Sequence, residues 1–445
     1  MKICFVTPRF PYPAIKGDTL RTFHQLQALS ARHQLTLVSL HDRPVTADLL
    51  APVGTLCDRV RVVAHPTWRS VLRTGAGLFD RAPLQLAYYR TNRFRQMLDA
   101  VLAADRYDAI HVSLVQMAPY VWDLAKGKIP VVLDLVDCRS LNLMSRRDER
   151  RGPVRALYGL EYRRVRDYER AVAAHFPRLV ISSPVDRAVL GDRAHVIPNG
   201  VDLDQFPFQS PEGRQRQTLI FTGNMAYPPN EEAVRWFVRY VWPLLQARWP
   251  CLRLEIAGAS PGARVKALES WPGVTVLGRV PSMAEHLARA TVSICPLQSG
   301  SGIQNKVLEA LAVGTPVVST TVGNQGTQAT PERELLVADS PEDFACAVDR
   351  LLRDEDLRAR LATYGRAYVE QRFQWSAHAR ALEALYSGHA RPSLDDPRLA
   401  IPQGRLMAGR SAISAIADAQ HRQWPAPGDA HEAASGRVDR AQWPS

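Results

Sequence analysis

Residues 298–320 read Gln-Ser-Gly-Ser-Gly-Ile-Gln-Asn-Lys-Val-Leu-Glu-Ala-Leu-Ala-Val-Gly-Thr-Pro-Val-Val-Ser-Thr. An apolar run, Val292 to Leu297, leads into a loop carrying Gly300 and Gly302. Lys306 to Val313 has the composition of a helix, Gly314 stops it, and Pro316 to Thr320 is β-branched. Strand, loop, helix, turn and strand in that order predict a parallel strand pair with a crossover helix. Ligands of such sheets sit where the carboxyl ends of the strands meet the helix N-termini. Glycines there let backbone N–H groups approach an anion such as a diphosphate. Lys306 and Glu309 are three residues apart and share a helix face. Two readings of them stay open: a surface ion pair on an ordinary crossover helix, or an ammonium for phosphate beside a carboxylate that accepts ribose hydroxyls.

The segment from Gly302, Ile303, Gln304 and Asn305 through Val318 resembles the donor-sugar-nucleotide motif of glycosyltransferase family 4, a large retaining family of the GT-B fold. The usual motif has two glutamates eight residues apart. Glu309 matches the second, which implies a contact to the donor's ribose hydroxyls; Ser301 stands at the first, which in the family contacts the donor's hexose. The Asn-Lys-Val-Leu-Glu-Ala form is similar to a subgroup found with bacterial exopolysaccharide and exosortase loci. The resemblance implies an α/β protein of two doubly wound Rossmann-like domains facing a cleft: an acceptor-binding domain over 1–204, a linker over 205–217 and a nucleotide-sugar domain over 218–362. A helix over 363–388 then crosses back to the first domain. It also implies a hexosyltransferase with a nucleoside-diphosphate sugar as co-substrate, no obligatory cofactor and no metal.

The chain opens with a strand pattern, Lys2 to Thr7, and a loop running into a helical pattern at Gly17-Asp18-Thr19, where Asp18 or Thr19 can cap. In the resemblance Gly17 belongs to a glycine loop over the donor's phosphates, and Asp18 stands where a second glycine is usual. Arg21, one turn in, either adds charge to that site or is a solvated helix residue. Gln34 to Leu40 and Arg59 to Val63 read as further strands, 66–103 as mostly helical, and Tyr107 to Ser113 as a strand whose His111 either lines the cleft or serves structure. Pro130 to Asp137 is a nearly continuous apolar strand. At its end lie Asp134 and Asp137, where α/β enzymes place chemistry. Relatives carry a His-Asp pair there; here it is Val136-Asp137, so only the aspartate carries over. A helix cap is the alternative for Asp137.

Val-Ile-Pro-Asn-Gly-Val-Asp, residues 196–202, is similar to the junction between the two family domains. Thr218 to Met225 then restarts a sheet, with Gly223 and Asn224 at its carboxyl end. Relatives place Arg after that glycine and Lys a few residues on; Asn224 and the neutral Pro228-Pro229-Asn230 stand here, which leaves phosphate charge to backbone amides, Lys306 and Arg21. Glu231 to Leu245 reads as a helix, and Arg279-Val280 aligns with the segment that holds the nucleobase. Helical periodicity over 355–386 breaks near Phe373 to Trp375. The tail from His389 has no core-forming period and reads as disordered.

With 445 residues, 46% of them apolar, the chain is long enough for two cores. Its six cysteines are scattered without metal spacing, as in a reduced cytosolic protein. The N-terminus lacks a signal-peptide core and no apolar run is long enough to span a membrane. The net charge of +12 lies wholly in residues 1–200, which hold 30 Lys/Arg against 18 Asp/Glu; the remainder holds 26 of each. The densest basic stretch, Arg146 to Arg170, alternates arginine with Leu and Tyr. It is either a solvated face or a dock for an anionic membrane surface, which would place the protein peripherally on the inner face of the membrane, beside a saccharide or polyprenyl-linked acceptor. It lacks the aromatic platform of a nucleic-acid binder. The rival functions are a nucleotide-sugar 2-epimerase of the same fold, and a non-catalytic binder of nucleotide sugar or nucleic acid.

Overall fold

The computed structural model describes residues 1–65, 82–148, 151–191, 193–210, 214 and 217–388. The helical reading of 66–81, Arg150 of the basic stretch, most of 211–216 and the tail reading of 389–445 lie outside the described residues.

Among the described residues the strands form two parallel sheets. The first contains β1 (Lys2–Thr7), β2 (Gln34–His41), β3 (Arg59–Ala64), β4 (Ala109–Ser113), β5 (Val131–Val136), β6 (Leu179–Ile181) and β7 (Ala194–Val196), in the order β3-β2-β1-β4-β5-β6-β7. The second contains β8 (Thr218–Thr222), β9 (Arg253–Ala257), β10 (Val274–Gly278), β11 (Val292–Cys295), β12 (Val317–Ser319) and β13 (Leu336–Val337), in the order β10-β9-β8-β11-β12-β13. The strand order reverses between β1 and β4 and again between β8 and β11. Each reversal opens a crevice at the carboxyl ends of the strands.

The strands read as apolar runs because helices cover both faces of each sheet. Ile3 and Phe5 of β1 face one core and Cys4 and Val6 the other, as period-2 alternation requires. The helices that matter for the site are α1 (Gly17–Ser30), α2 (Arg139–Asp148), α3 (Gly152–His175), α4 (Pro228–Trp236), α5 (Asn305–Val313), α6 (Glu355–Arg372) and α7 (Trp375–Tyr386). The helix expected over Glu231 to Leu245 is broken by a π turn at Phe237–Val241. Pro243 lacks the N–H that would continue the ladder, so the widened turn takes up the irregularity.

The chain returns to the first sheet after completing the second. Val201 N donates to Phe373 O at 2.8 Å where it crosses. From α7, Ala379, Leu382, Leu385 and Tyr386 then pack in the same core as Ile3, Phe5, Leu26 and Leu35. Each of the larger side chains contributes roughly 1.5–3 kcal/mol by leaving water. The resemblance implied a helix crossing back over 363–388; the segment that packs on the first sheet is α7, Trp375–Tyr386, and the preceding stretch to Arg372 belongs to the separate helix α6.

Candidate active site

The carboxyl ends of β1, β4, β5 and β6 face those of β8, β9, β10 and β11 across one cleft of about 970 Å³. Two strand-end residues on its wall, Leu114 (φ 70°) and Val136 (φ 68°), hold left-handed backbone conformations. A β-branched residue there is strained, and the surrounding sheet must hold it. Val136 aims the chain so that the next residue, Asp137, lines the cleft.

The second-domain wall is built on α5. Gln304 is its N-cap, and Gly302, Ile303, Gln304, Asn305, Lys306 and Glu309 all line the cleft. Lys306 is buried, donates to Asn230 Oδ1 at 2.6 Å and lies 4.9 Å from the centre of the Phe221 ring. Burial lowers its pKa, opposed by Cys295 and Glu309. Despite their shared face, Lys306 and Glu309 form no ion pair, because the ammonium reaches to Asn230 instead. The half-buried Glu309 carboxylate has no hydrogen-bond partner among the described residues, and burial pushes its pKa up to about 7, with Lys306 opposing. Next to this helix, Gly223 and Gly258 cross so closely that a Cβ on Gly258 would lie 1.7 Å from Gly223 O. With φ near 150° at both, only glycine fits, and bare backbone faces the ligand space. Asn224, Arg279 and Val280 complete this wall. The Asn224 side chain is already engaged, accepting from Ala226 N at 3.0 Å.

Gly17 and Asp18 open α1 on the first-domain wall, as expected. Thr19, not Asp18, closes the helix end: its Oγ1 accepts from Lys16 N at 3.2 Å and donates to Lys16 O at 3.0 Å. Asp18 pairs with Arg9. Asp137 is not a cap. Glu169 takes the N–H groups at the start of α2, Arg139 N at 2.8 Å and Ser140 N at 3.4 Å, and Asp186 takes Cys138 N at 2.9 Å. That frees the Asp137 carboxylate, which accepts from Asn142 Nδ2 at 3.2 Å. Burial raises its pKa, opposed by Arg139 and Asn142. Asp137 also meets the opposite wall: a Cβ on Gly302 (φ 71°) would lie 3.6 Å from Asp137 Cβ. The glycine at 302 therefore lets the two walls close on each other.

Three expected site residues do not face the cleft. Arg21 is 1% exposed, its Nε 2.7 Å from Asp134 Oδ2, its Nη1 2.9 Å from Asn199 Oδ1 and its Nη2 2.8 Å from Ile197 O. Each of its three nitrogens is bonded within the fold and the group is buried away from the cleft wall, so it is not placed to serve phosphate. Asp134 is likewise consumed, by Arg21, by Gln25 Nε2 at 2.8 Å and by Val136 N at 3.1 Å. His111 is fully buried, stacked on Phe5, with Nδ1 2.8 Å from Tyr386 OH of the returning α7. Burial pushes its pKa down to about 4, so it is a neutral packing residue.

Sequence reasoning missed several residues of the cleft: Arg139, Asn142, Arg146, Ser182, Tyr227 and Asn230. Tyr227 OH comes within 3.4 Å of Asn142 Oδ1, which spans the two walls. No spacing rule marks these positions; only Asn230, beside two prolines opening α4, stood at a place where relatives show a charge. Among the described residues, four buried polar atoms on cleft residues have no hydrogen-bond partner: Arg139 Nε, Thr222 Oγ1, Ser301 Oγ and Trp375 Nε1. Buried polar groups left unpaired in one cavity mark where a ligand's polar groups go.

Two facing Rossmann-like domains with this cleft define a GT-B protein. Residues 216–354 match the family described as Glycosyl transferases group 1, and the protein is a GT-B glycosyltransferase. It is 22% identical, over 77% of its length and 89% of the relative's, to an uncharacterized 44.6 kDa protein in the cps region of Klebsiella pneumoniae. Other curated relatives are matched over 22–72% of their own length. Among solved structures, sucrose-phosphate synthase from Thermosynechococcus elongatus superposes with a TM-score of 0.64 at 18% identity, covering 87% of this chain and 99% of that one. The Anabaena protein HepE in complex with UDP superposes with a TM-score of 0.59 at 16% identity, covering 87% and 100%. These likenesses carry the fold.

Proposed function

We propose that the protein is a retaining glycosyltransferase of family 4 that moves a hexose from a nucleoside-diphosphate sugar to a saccharide or lipid-linked acceptor in the synthesis of exopolysaccharide or another cell-envelope glycan. One observation carries this reading: the Lys306–Glu309 face of α5 and the Gly223–Gly258 backbone crossing stand in one cleft with Asp137 of the other domain. The UDP bound by HepE and the cps-region context of the Klebsiella relative support a nucleotide donor and a polysaccharide product.

The chemistry follows from the wall groups. Glu309 accepts the ribose hydroxyls. The α5 N-terminus, the bare backbone at Gly223 and Gly258, and the Lys306 ammonium stabilise the charge that develops on the departing diphosphate, and they need no reorganisation to do so. Asp137, on the opposite wall, stands beside the transferred sugar as its bond to the diphosphate lengthens. The co-substrate brings the reactive group, and no resident cofactor is called for. Purified protein given UDP-, GDP- and ADP-sugars without acceptor should hydrolyse one class slowly, the released sugar keeping its anomeric configuration in proton NMR. No release from any of them would defeat the reading.

The acceptor is proposed to arrive at a membrane surface along α3. Val154 and Leu157 are each 48% exposed and Leu160 is 40% exposed, on one side of that helix. Arg151, Arg155 and Arg163 are exposed beside them. Among the described residues no helix is long and apolar enough to cross a membrane. Each arginine near an anionic surface adds about 1 kcal/mol. The protein should sediment with vesicles containing anionic lipid at low salt and be released at about 0.5 M salt, where the Debye length falls below about 5 Å. Changing Arg151, Arg155 and Arg163 to Gln should weaken it. Equal sedimentation with neutral vesicles would count against the surface.

A further inference from the structure

The cations of the cleft differ in how much of their hydrogen-bonding capacity is already used. Arg9 is held by Asp18 and by Tyr89 OH at 2.9 Å. Lys306 is held by Asn230 and the Phe221 ring. Arg139, the first residue of α2, has the Asp137 and Glu161 carboxylates near enough to feel its charge, but its buried Nε has no hydrogen-bond partner and its guanidinium closes no ion pair or hydrogen bond among the described residues. Its side chain does not cap α2 either: a guanidinium only donates, and the N–H groups of Arg139 and Ser140 are taken by the Glu169 carboxylate. A half-buried guanidinium with unmet donors carries a standing desolvation cost, which a bound anion would repay through charge-assisted bonds.

The surroundings say which part of a ligand would meet it. Arg139 lies two residues beyond Asp137, whose Cβ faces Gly302 across the cleft. The residue before Gly302 is Ser301, itself buried, with an unpartnered hydroxyl. A guanidinium on one wall and a free hydroxyl on the other suit a group of several oxyanion acceptors. We infer that Arg139 is an anion-binding residue of the cleft whose guanidinium takes an oxyanion of the bound donor, either a diphosphate oxygen or a carboxylate on the transferred sugar. This rests on the nucleotide-sugar reading above. It also supplies a cation from the first domain, where Arg21 supplies none and the Arg and Lys of relatives near Gly223 are replaced by neutral residues.

The test compares wild type, Arg139→Gln and Arg139→Lys by calorimetry with UDP, GDP and ADP and with the corresponding nucleosides, and by donor hydrolysis with a nucleotide-linked uronic acid against its neutral hexose counterpart. If the diphosphate is the partner, Arg139→Gln binds the preferred nucleoside diphosphate about tenfold more weakly while nucleoside affinity is unchanged, and Arg139→Lys recovers part of the loss. If a sugar carboxylate is the partner, diphosphate affinity is unchanged and the variant loses about tenfold in its preference for the uronic donor. Either result supports the inference. An Arg139→Gln protein that keeps both its diphosphate affinity and its donor preference overturns it, as does a variant whose melting temperature and nucleoside affinity fall together, which would mark a structural residue. Wild type that binds none of the three diphosphates would overturn the nucleotide-sugar reading itself, and this inference with it.

Discussion

Arg21→Met will lose about 3–5 kcal/mol of stability, the cost of leaving a buried carboxylate without its partner. In a chain of this size that corresponds to a fall in Tm of about 3–5 °C, readable by calorimetry or urea titration. Arg21 and Asp134 are each 1% exposed, and the guanidinium also holds Asn199 Oδ1 and Ile197 O. Methionine fills much of the volume but returns none of these bonds. Asp134 would keep Gln25 Nε2 and Val136 N, too little for a full charge out of water. Arg21→Met/Asp134→Asn should therefore be more stable than Arg21→Met alone, since the second change removes the stranded charge. Because Asn199 Nδ2 also donates to Asn305 Oδ1 at 3.0 Å, at the start of α5, the loss should loosen the junction of the two domains as well. A variant with unchanged stability and a selective loss of donor affinity would instead put Arg21 back among phosphate ligands.

Glu309→Gln should weaken nucleotide-sugar binding by about 1–3 kcal/mol, the range for losing a hydrogen bond to a charged group, which is about 5- to 150-fold in Kd. The fold should be unaffected, because the carboxylate serves no internal hydrogen bond. Burial sets a pH signature on the same residue. With its pKa pushed up to about 7, Glu309 is largely protonated at pH 6 in the free protein and ionised at pH 8. The ionised form offers its full set of acceptors to ribose hydroxyls. Wild-type affinity should thus rise with pH across that interval, with proton release on binding, and the Gln variant should not show this component. Stability runs the other way. Between about pH 4.5 and 7 the folded state holds a proton on Glu309 that the unfolded chain has lost, so this residue's contribution falls as pH rises through that window. Glu309→Gln should remove that slope. Unchanged donor affinity in calorimetry at pH 8 would sink the ribose assignment.

The strands and the α5 motif were legible in the sequence because each is a local consequence of periodicity. Two-residue and 3.6-residue repeats, with glycines between them, place Lys306 and Glu309 on one helix face whatever the rest of the chain does. The same reasoning located Gly223 at the end of β8 and Gly17 at the start of α1, and both line the cleft. It could not tell Arg21 from a cleft residue, although Arg21 also lies one turn into a helix that opens onto the cleft. Its partners Asp134 and Asn199 are 113 and 178 residues away, and only the packed chain brings them to it. His111 is neutral and inert because Tyr386, 275 residues on, returns on α7 to cover it. Asp137 reaches the cleft because Glu169, 30 residues beyond Arg139, takes over the capping that Asp137 could have performed.

Local periodicity, then, was enough to read most of the strands and helices and to place glycines at strand ends that line the cleft. The tertiary structure alone decided which charged side chains are consumed by the fold and which remain for a substrate. The physical reason is that a charge withdrawn from water must find a partner within a few ångströms, and that partner is chosen by the packing of distant elements, which no local spacing records.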